Sequence, residues 1–130
     1  MSLSVGLKGR AEAAVTDTNT AAAVGSGSLP VFATPMMVAL MEGAAVNALE
    51  GHLAEGETSV GTHMDISHDS ATPVGIKVWA EAELTAIDGR ALTFSVTAHD
   101  EAGPIGAGVH TRFLVQGERF LAKAGKKVSR

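Results

Sequence analysis

The stretch VFATPMMVALMEGAAVNALEG, residues 31–51, decides the fold that the rest of the chain must accommodate. Pro35 suits the first turn of a helix, where its missing amide hydrogen is not needed, and Thr34 can cap that helix. Gly51 is a suitable C-terminal stop. The spacing therefore predicts a helix over residues 34–49. Its apolar residues occupy almost the whole circumference, which is typical of a helix that is buried on most of its faces.

The segments on both sides of this helix predict β-strands that wrap it. Apolar and polar residues alternate with a period of two, as in half-exposed strands, and the segment 3–15 begins this way at Leu3, Val5 and Leu7. Asp88-Gly89 is a strong turn signal between two later strands. The alternating positions after the helix are Val60, Thr62, Met64, Ile66 and His68, then Ile76, Val78, Ala80, Ala82, Leu84 and Ala86, then Leu92, Phe94, Val96 and Ala98, and finally Ile105, Ala107, Val109, Thr111, Phe113 and Val115.

One helix followed by a meander of long antiparallel strands predicts an α+β fold, with the helix packed on the concave face of a curved sheet. A length of 130 residues with 45% hydrophobic and 18% charged residues suits a single domain over residues 1–130. Within it, the segment 16–30 is small, polar and rich in glycine and serine, so we expect a flexible flap. Residues 118–130 carry five basic groups against one acidic group and predict a basic C-terminal tail.

Composition excludes several classes of function. The chain has no cysteine, so it can form no disulfide framework, thiolate metal site or cysteine nucleophile, and this fits a reducing cytoplasm. A net charge of −4 argues against a nucleic-acid-binding protein, which would present a basic face. No apolar stretch is long and uninterrupted enough to predict a membrane span, and no signal peptide is visible. We expect a cytoplasmic protein without nucleic-acid or membrane partners.

Three residues stand out as candidates for chemistry. Glu42 lies within the apolar arc of the helix, where a carboxylate is costly to bury unless it is paired or used; the alternative is a charge at the rim of that arc. Thr34 lies on the same side, eight residues earlier, and its alternative role is helix capping. His68 shares a strand face with Met64 and Ile66, so it is either a buried neutral histidine or a base that works near neutral pH.

A metal site is not predicted. His52, His63 and His99 lack the spacing of a helical histidine pair, and no other pattern brings them together. The methionines at the start of the helix are better explained as core residues than as ligands.

Three motifs resemble the hot-dog fold thioesterases, and most closely the group similar to fluoroacetyl-CoA thioesterase. They are VFATPMMVALMEGAA at 31–45, GTHMDISHDSATPVG at 61–75, and AELTAIDGRALTFSVTAHDEAGPIGAGVHTRF at 82–113. In that family a threonine opens the central helix, a glutamate follows eight residues later, and a histidine ends the next strand. Thr34, Glu42 and His68 match these positions. Gly61 matches a glycine whose surroundings help to hold the thioester carbonyl.

The resemblance implies a hydrolase of small acyl-CoA thioesters that works as a homodimer or a higher oligomer, with active sites at or near the interface. CoA is then part of the substrate, and no cofactor is required. Phe32 and Met36 would contact the acyl group, and Arg112, in the family segment GVHTRF, would lie near the CoA phosphates together with some C-terminal lysines. The alternative is a non-catalytic module that binds acyl-CoA or another small molecule on the same fold.

The sequence departs from the family at the segment before the helix. The fluoroacetyl-CoA enzymes carry a longer lid with aromatic residues there, whereas TDTNTAAAVGSGSLP, residues 16–30, is short and has no aromatic residue. A pocket without a rigid lid discriminates poorly between small acyl groups, since a methylene-sized difference is worth only about 1–3 kcal/mol. We therefore expect a broader acyl specificity than strict selection of fluoroacetyl-CoA.

Overall fold

One long helix lies against one face of a five-stranded antiparallel sheet in the computed structural model of the chain, which describes residues 2–128. The sheet has the order β1-β3-β4-β5-β2, so β1 and β2 form its two edges. The α+β prediction is confirmed. The elements are β1 (Lys8–Ala14), α1 (Ala21–Val24), α2 (Thr34–Leu49), β2 (Glu57–His68), β3 (Lys77–Asp88), β4 (Ala91–Asp100), β5 (Gly103–Gln116) and α3 (Gly117–Gly125).

The central helix α2 has the predicted bounds, but its capping differs from the prediction. Ala33 is the N-cap residue and makes no side-chain bond, so Thr34 does not cap the helix and its hydroxyl is available for another partner. Beyond the helix, Gly51 has a φ of 80°, a left-handed conformation that glycine adopts without strain and that stops the helix. The buried residues of α2 are Met37, Met41, Ala44, Ala45, Ala48 and Leu49.

The helix can approach the sheet closely because glycine faces it from β1. A Cβ atom at Gly9 would overlap the backbone of Ala44 and Ala48, so a side chain at this position would push the helix off the sheet. The helix is less enclosed than its composition predicts, because Val46 on its far side is 45% exposed.

The predicted strands β3 and β4 are confirmed, including the hairpin at Asp88-Gly89, and they supply most of the core. Their buried residues are Val78, Ala80, Ala82, Leu84, Leu92, Phe94, Val96 and Ala98. The first strand is shorter than predicted. It begins at Lys8, because the chain turns through Gly6 with a φ of 105°, and Val5 is exposed.

Two strands differ from the predicted alternation in a way that shapes the site. In β2, Thr62 is an extra residue between Gly61 and His63, which pair with Arg112 and Thr111 of β5. This bulge places Gly61, rather than Val60 and Thr62, on the same face as Met64, Ile66 and His68. In β5 the buried positions include His110, Arg112 and Leu114, whereas Val109 and Phe113 of the predicted apolar set are exposed.

The two segments with unusual composition both contain helices. Residues 16–30 include the short helix α1, where Thr20 accepts a bond from the amide of Ala23 and Gly25 ends the turn. A β-bridge between Thr20 and Phe32 closes this segment; its flexibility stays a prediction. The basic C-terminal segment is helical through Gly125 and buries none of the residues of α3, and its last two residues, 129 and 130, fall outside the described residues. Within residues 2–128 no helix combines the length and apolarity needed to cross a membrane.

Candidate active site

A hydrogen bond joins two of the three predicted catalytic residues at the N-terminus of α2. Thr34 Oγ1 lies 2.8 Å from His68 Nδ1. The bond forms because Thr34 occupies the first position of the helix while His68 is the last residue of β2, and β2 points its end at the start of the helix. The other ring nitrogen, His68 Nε2, is buried and has no hydrogen-bond partner within the described chain.

This pair lines an open cavity of about 330 Å³. The cavity is walled on one side by the loop after β2 and on the other by the segment 16–30, which contributes the small residues Ala21 and Ser26. Phe32, only 3% exposed, is the aromatic residue in its wall. Met36, in the first turn of the helix, packs against the hydrophobic core.

The imidazole of His68 is suited to accept a proton. Burial lowers the pKa of His68 below its ordinary value, because a charged ring is poorly solvated there; the neighbouring Asp69 and a backbone hydrogen bond to Ser70 oppose this effect. The ring is therefore neutral at pH 7, and its Nδ1 can accept the hydroxyl hydrogen of Thr34. This arrangement makes the threonine oxygen a better nucleophile or a good anchor for water.

The third predicted residue, Glu42, belongs to a second polar cluster farther along the helix. Its Oε2 accepts a hydrogen bond from Arg112 Nη1 at 3.2 Å and lies 3.7 Å from His110 Nε2. Gly61 faces the same carboxylate, and a Cβ atom there would overlap Oε2. The bulge in β2 therefore leaves the space that the Glu42 side chain occupies. Glu42 itself keeps 40% of its side chain exposed.

Two buried residues of β5 fix the position of that carboxylate. His110 Nδ1 lies 2.8 Å from the carbonyl oxygen of His63, which can only accept, so Nδ1 carries the hydrogen and Nε2 is free to accept one from Arg112 Nη1 at 3.1 Å. Burial lowers the pKa of His110, and the adjacent Arg112 lowers it further, so the ring stays neutral. Arg112 also donates from Nε to Ser59 Oγ at 2.8 Å and from Nη2 to the Ser59 carbonyl at 3.1 Å.

One chain does not bring the three catalytic candidates together. Thr34 and His68 form one cluster, whereas Glu42 lies about 12 Å further along the helix axis at 1.5 Å per residue. The predicted place of Arg112 near the CoA phosphates stays a prediction; in the single chain its side chain is 7% exposed and its guanidinium donates hydrogen bonds to Ser59 and Glu42. The substrate-binding roles of Gly61, Phe32 and Met36 stay predictions as well.

Sequence reasoning missed two members of the second cluster, His110 and Ser59. A usable signal existed, because His110 and Arg112 are two residues apart in one strand and must share a face. Within residues 2–128, no group of three or more histidine, aspartate or glutamate side chains is arranged to hold a metal ion.

The chain is similar in sequence to proteins of one known family. Residues 15–118 match the family model described as fluoroacetyl-CoA-specific thioesterase. The fluoroacetyl-CoA thioesterase of Streptantibioticus cattleyicolor is 45% identical over 97 residues, which cover 75% of this chain and 70% of that protein.

Solved structures agree with this match. The fluoroacetyl-CoA thioesterase FlK superposes with a TM-score of 0.91 at 36% identity, covering 98% of this chain and 99% of that one. A hypothetical protein of Thermus thermophilus, a thioesterase superfamily member, superposes with a TM-score of 0.87 at 26% identity and covers 95% and 91% of the two chains. A hot-dog-like protein from Thermanaerovibrio acidaminovorans shares the fold, with a TM-score of 0.86 at 21% identity over 97% of this chain and 93% of that one. The hot-dog prediction is confirmed.

Proposed function

The chain belongs to the family of fluoroacetyl-CoA-specific thioesterases, and we propose that it hydrolyses small acyl-CoA thioesters with Thr34, Glu42 and His68. The observation that carries this proposal is the 2.8 Å contact between Thr34 Oγ1 and the neutral ring of His68 at the mouth of an open cavity. A thioester hydrolase needs such a paired oxygen and base, whereas a capping threonine and a core histidine do not need each other.

The proposed reaction uses these groups in a simple proton relay. His68 removes a proton from water held by Thr34, or from the Thr34 hydroxyl itself, and the resulting oxygen attacks the thioester carbonyl carbon. The carbon–sulfur bond breaks, and the proton held by His68 passes to the departing CoA thiolate. A final attack by water is needed only if Thr34 becomes acylated. The N-terminal end of α2 offers a positive dipole to the developing oxyanion. Water is the only co-reactant, so no cofactor is proposed.

Glu42 can take part in this proton relay if the active site is formed by two chains. β2 is an edge strand with an unpaired side, and edge strands pair readily with a second copy. An antiparallel pairing of two β2 strands, centred between Met64 and Asp65, sets His68 of one protomer opposite Gly61 of the other. Glu42 lies directly beside Gly61. Its half-exposed carboxylate would then face His68 Nε2, the buried nitrogen that lacks a partner in the single chain.

A homodimer, or a higher oligomer built from such dimers, follows from this proposal. Leaving a buried N–H group unsatisfied costs about 1–3 kcal/mol, which a carboxylate from a second chain would remove. Light scattering at micromolar concentration should give the mass of at least a dimer, and a stable monomer would contradict the shared site. Cytoplasmic localisation stays a prediction from composition.

We also propose a broad acyl specificity. The segment 16–30 contributes Ala21 and Ser26 to the cavity wall and no aromatic side chain, so this segment provides little surface that could enclose one small acyl group. Hydrophobic contact alone discriminates a methylene-sized difference by about 1–3 kcal/mol, or roughly 10- to 200-fold.

A thiol-release assay over fluoroacetyl-, acetyl-, propionyl-, benzoyl- and long-chain acyl-CoA tests the proposal. We expect turnover of several small thioesters and a ratio of kcat/KM between fluoroacetyl-CoA and acetyl-CoA within about 200-fold. A preference of several thousand-fold for fluoroacetyl-CoA would contradict the broad specificity. Binding of acyl-CoA without release of thiol from any of these substrates would identify a non-catalytic binding module instead.

A further inference from the structure

Three positively charged side chains converge on a cavity that the catalytic groups do not use. The cavity, of about 380 Å³, lies where β5 passes into α3. Arg90 enters it from the turn between β3 and β4, and Arg119 and Lys123 enter it from successive turns of α3. These cations come from separate parts of the sequence, so their convergence is a property of the fold.

The ion pairs of the other cations give a contrast with these three side chains. Arg10 and Lys77 are paired with glutamates on the outer face of the sheet, and Arg112 is paired with Glu42. Within residues 2–128, the side chains of Arg90, Arg119 and Lys123 form no ion pair. Two carboxylates, Glu55 and Glu57, also line the cavity, and one oxygen of Glu57 accepts a bond from the amide of Ala54.

A continuous surface connects this cavity with the second polar cluster. A neighbouring cavity of about 260 Å³ shares Ala54 and Glu57 with it and extends along β2 to Ser59. Ser59 accepts a hydrogen bond from Arg112, and Arg112 donates another hydrogen bond to Glu42. From Gly61 to Glu57 the strand covers about 13 Å at 3.3 Å per residue. An extended chain that starts beside Glu42 can follow β2 along this surface and end among the cations.

We propose that Arg90, Arg119 and Lys123 form the subsite for the phosphate groups of CoA. This inference rests on the proposed function, because it assumes that a CoA thioester lies beside Glu42. The chain carries a net charge of −4, so a polyanionic substrate needs a local positive region. Arginine and lysine side chains without internal partners can form charge-assisted bonds to phosphate without first breaking another bond. The pantetheine arm then lies along the residues that precede Gly61 in β2.

The test compares substrates that differ only in the phosphate groups. In the triple variant Arg90→Ala, Arg119→Ala, Lys123→Ala, we expect kcat/KM for acetyl-CoA to fall at least about tenfold, mainly through KM. Hydrolysis of S-acetylpantetheine, which lacks phosphates, should not change. The acetyl thioester of dephospho-CoA, which lacks the 3′-phosphate, distinguishes the two phosphate groups. If the triple variant hydrolyses it as well as the wild type does, the three residues bind the 3′-phosphate; if its kcat/KM still falls, they bind the diphosphate. Lys8→Ala, on the far edge strand, serves as the control.

Two results would overturn the proposal. One is an unchanged KM for acetyl-CoA in the triple variant, and the other is an equal loss of kcat/KM for acetyl-CoA and S-acetylpantetheine. Calorimetric titration compares the affinity of the wild type and of the triple variant for CoA without turnover. We expect the affinity of the triple variant to be at least about tenfold weaker. Absence of hydrolysis by the wild-type protein would refute the proposed function, while the calorimetric comparison would still decide whether these three residues bind CoA phosphate. Melting curves of the triple variant should match those of the wild type, because the three substituted side chains are exposed.

Discussion

Replacing Gly61 with alanine should displace the Glu42 carboxylate and abolish most activity while leaving the fold intact. The new Cβ would overlap Glu42 Oε2 and would lie 3.2 Å from His110 Cε1 and 3.3 Å from Arg112 Nη1. The two β5 side chains are buried and bonded, so the half-exposed glutamate must move. The movement is about 1 Å or more, the difference between overlap and ordinary contact. A misplacement of this size costs about 100-fold in rate.

The free energy of unfolding should change by less than about 1 kcal/mol. The carboxylate moves by only about 1 Å and stays near Arg112, which keeps its two bonds to Ser59, so the buried guanidinium is not left without partners. The alanine side chain also reduces the conformational entropy of the unfolded chain, which stabilises the fold by about 0.4–1 kcal/mol. Gly43→Ala is the matched control, because its Cβ would lie 3.6 Å from Ala11 Cβ, an ordinary contact. We expect thiol release to fall about 100-fold for Gly61→Ala only. Retention of more than half of kcat/KM would refute the role of the Glu42 position.

Further predictions concern pH and stability. The charge of Asp69 raises the pKa of His68, so Asp69→Asn should shift the acid limb of kcat/KM to lower pH; a pH–rate profile whose acid limb does not move in this variant would contradict the base assignment. Thr72 donates a 2.7 Å bond to the buried Asp100, and this bond lowers the aspartate pKa. Thr72→Val should cost about 1–3 kcal/mol in urea unfolding at pH 7. Because the folded-state pKa is depressed, this stabilisation is present above about pH 3.9 and is lost as the pH falls below it, so an equal cost at low pH would argue against the bond.

The bounds of α2 and the strands of the β3–β4 hairpin could be predicted because local chemistry fixes them. Pro35 and Gly51 mark the two ends of the helix, and Asp88-Gly89 forces the hairpin. The bulge at Thr62 could not be predicted, since one extra residue leaves the alternation on each side intact. It nevertheless decides that Gly61 faces Glu42.

The alternation of apolar residues in β5 does not identify which of its side chains are buried. Its alternating apolar residues include Val109 and Phe113, which are 45% and 40% exposed. The inward face instead carries Gly106, where a Cβ would lie 2.9 Å from the Met37 side chain, followed by His110 and Arg112. Hydrophobic patterning cannot detect a buried strand face that consists of a closely packed glycine and a polar cluster. The sequence also places Thr34 and Glu42 on one helix without indicating that a single chain keeps them in separate clusters.

The most direct test of a site built from two chains is the activity of a hybrid dimer. Glu42→Ala and His68→Ala homodimers should each release thiol from acetyl-CoA at least about 100-fold more slowly than the wild type. A heterodimer of the two variants, isolated through two affinity tags, contains one intact site of two and should recover about half of the wild-type rate. A heterodimer that is no more active than its inactive parents would contradict the shared site, and full activity in both parents would contradict the catalytic assignment itself.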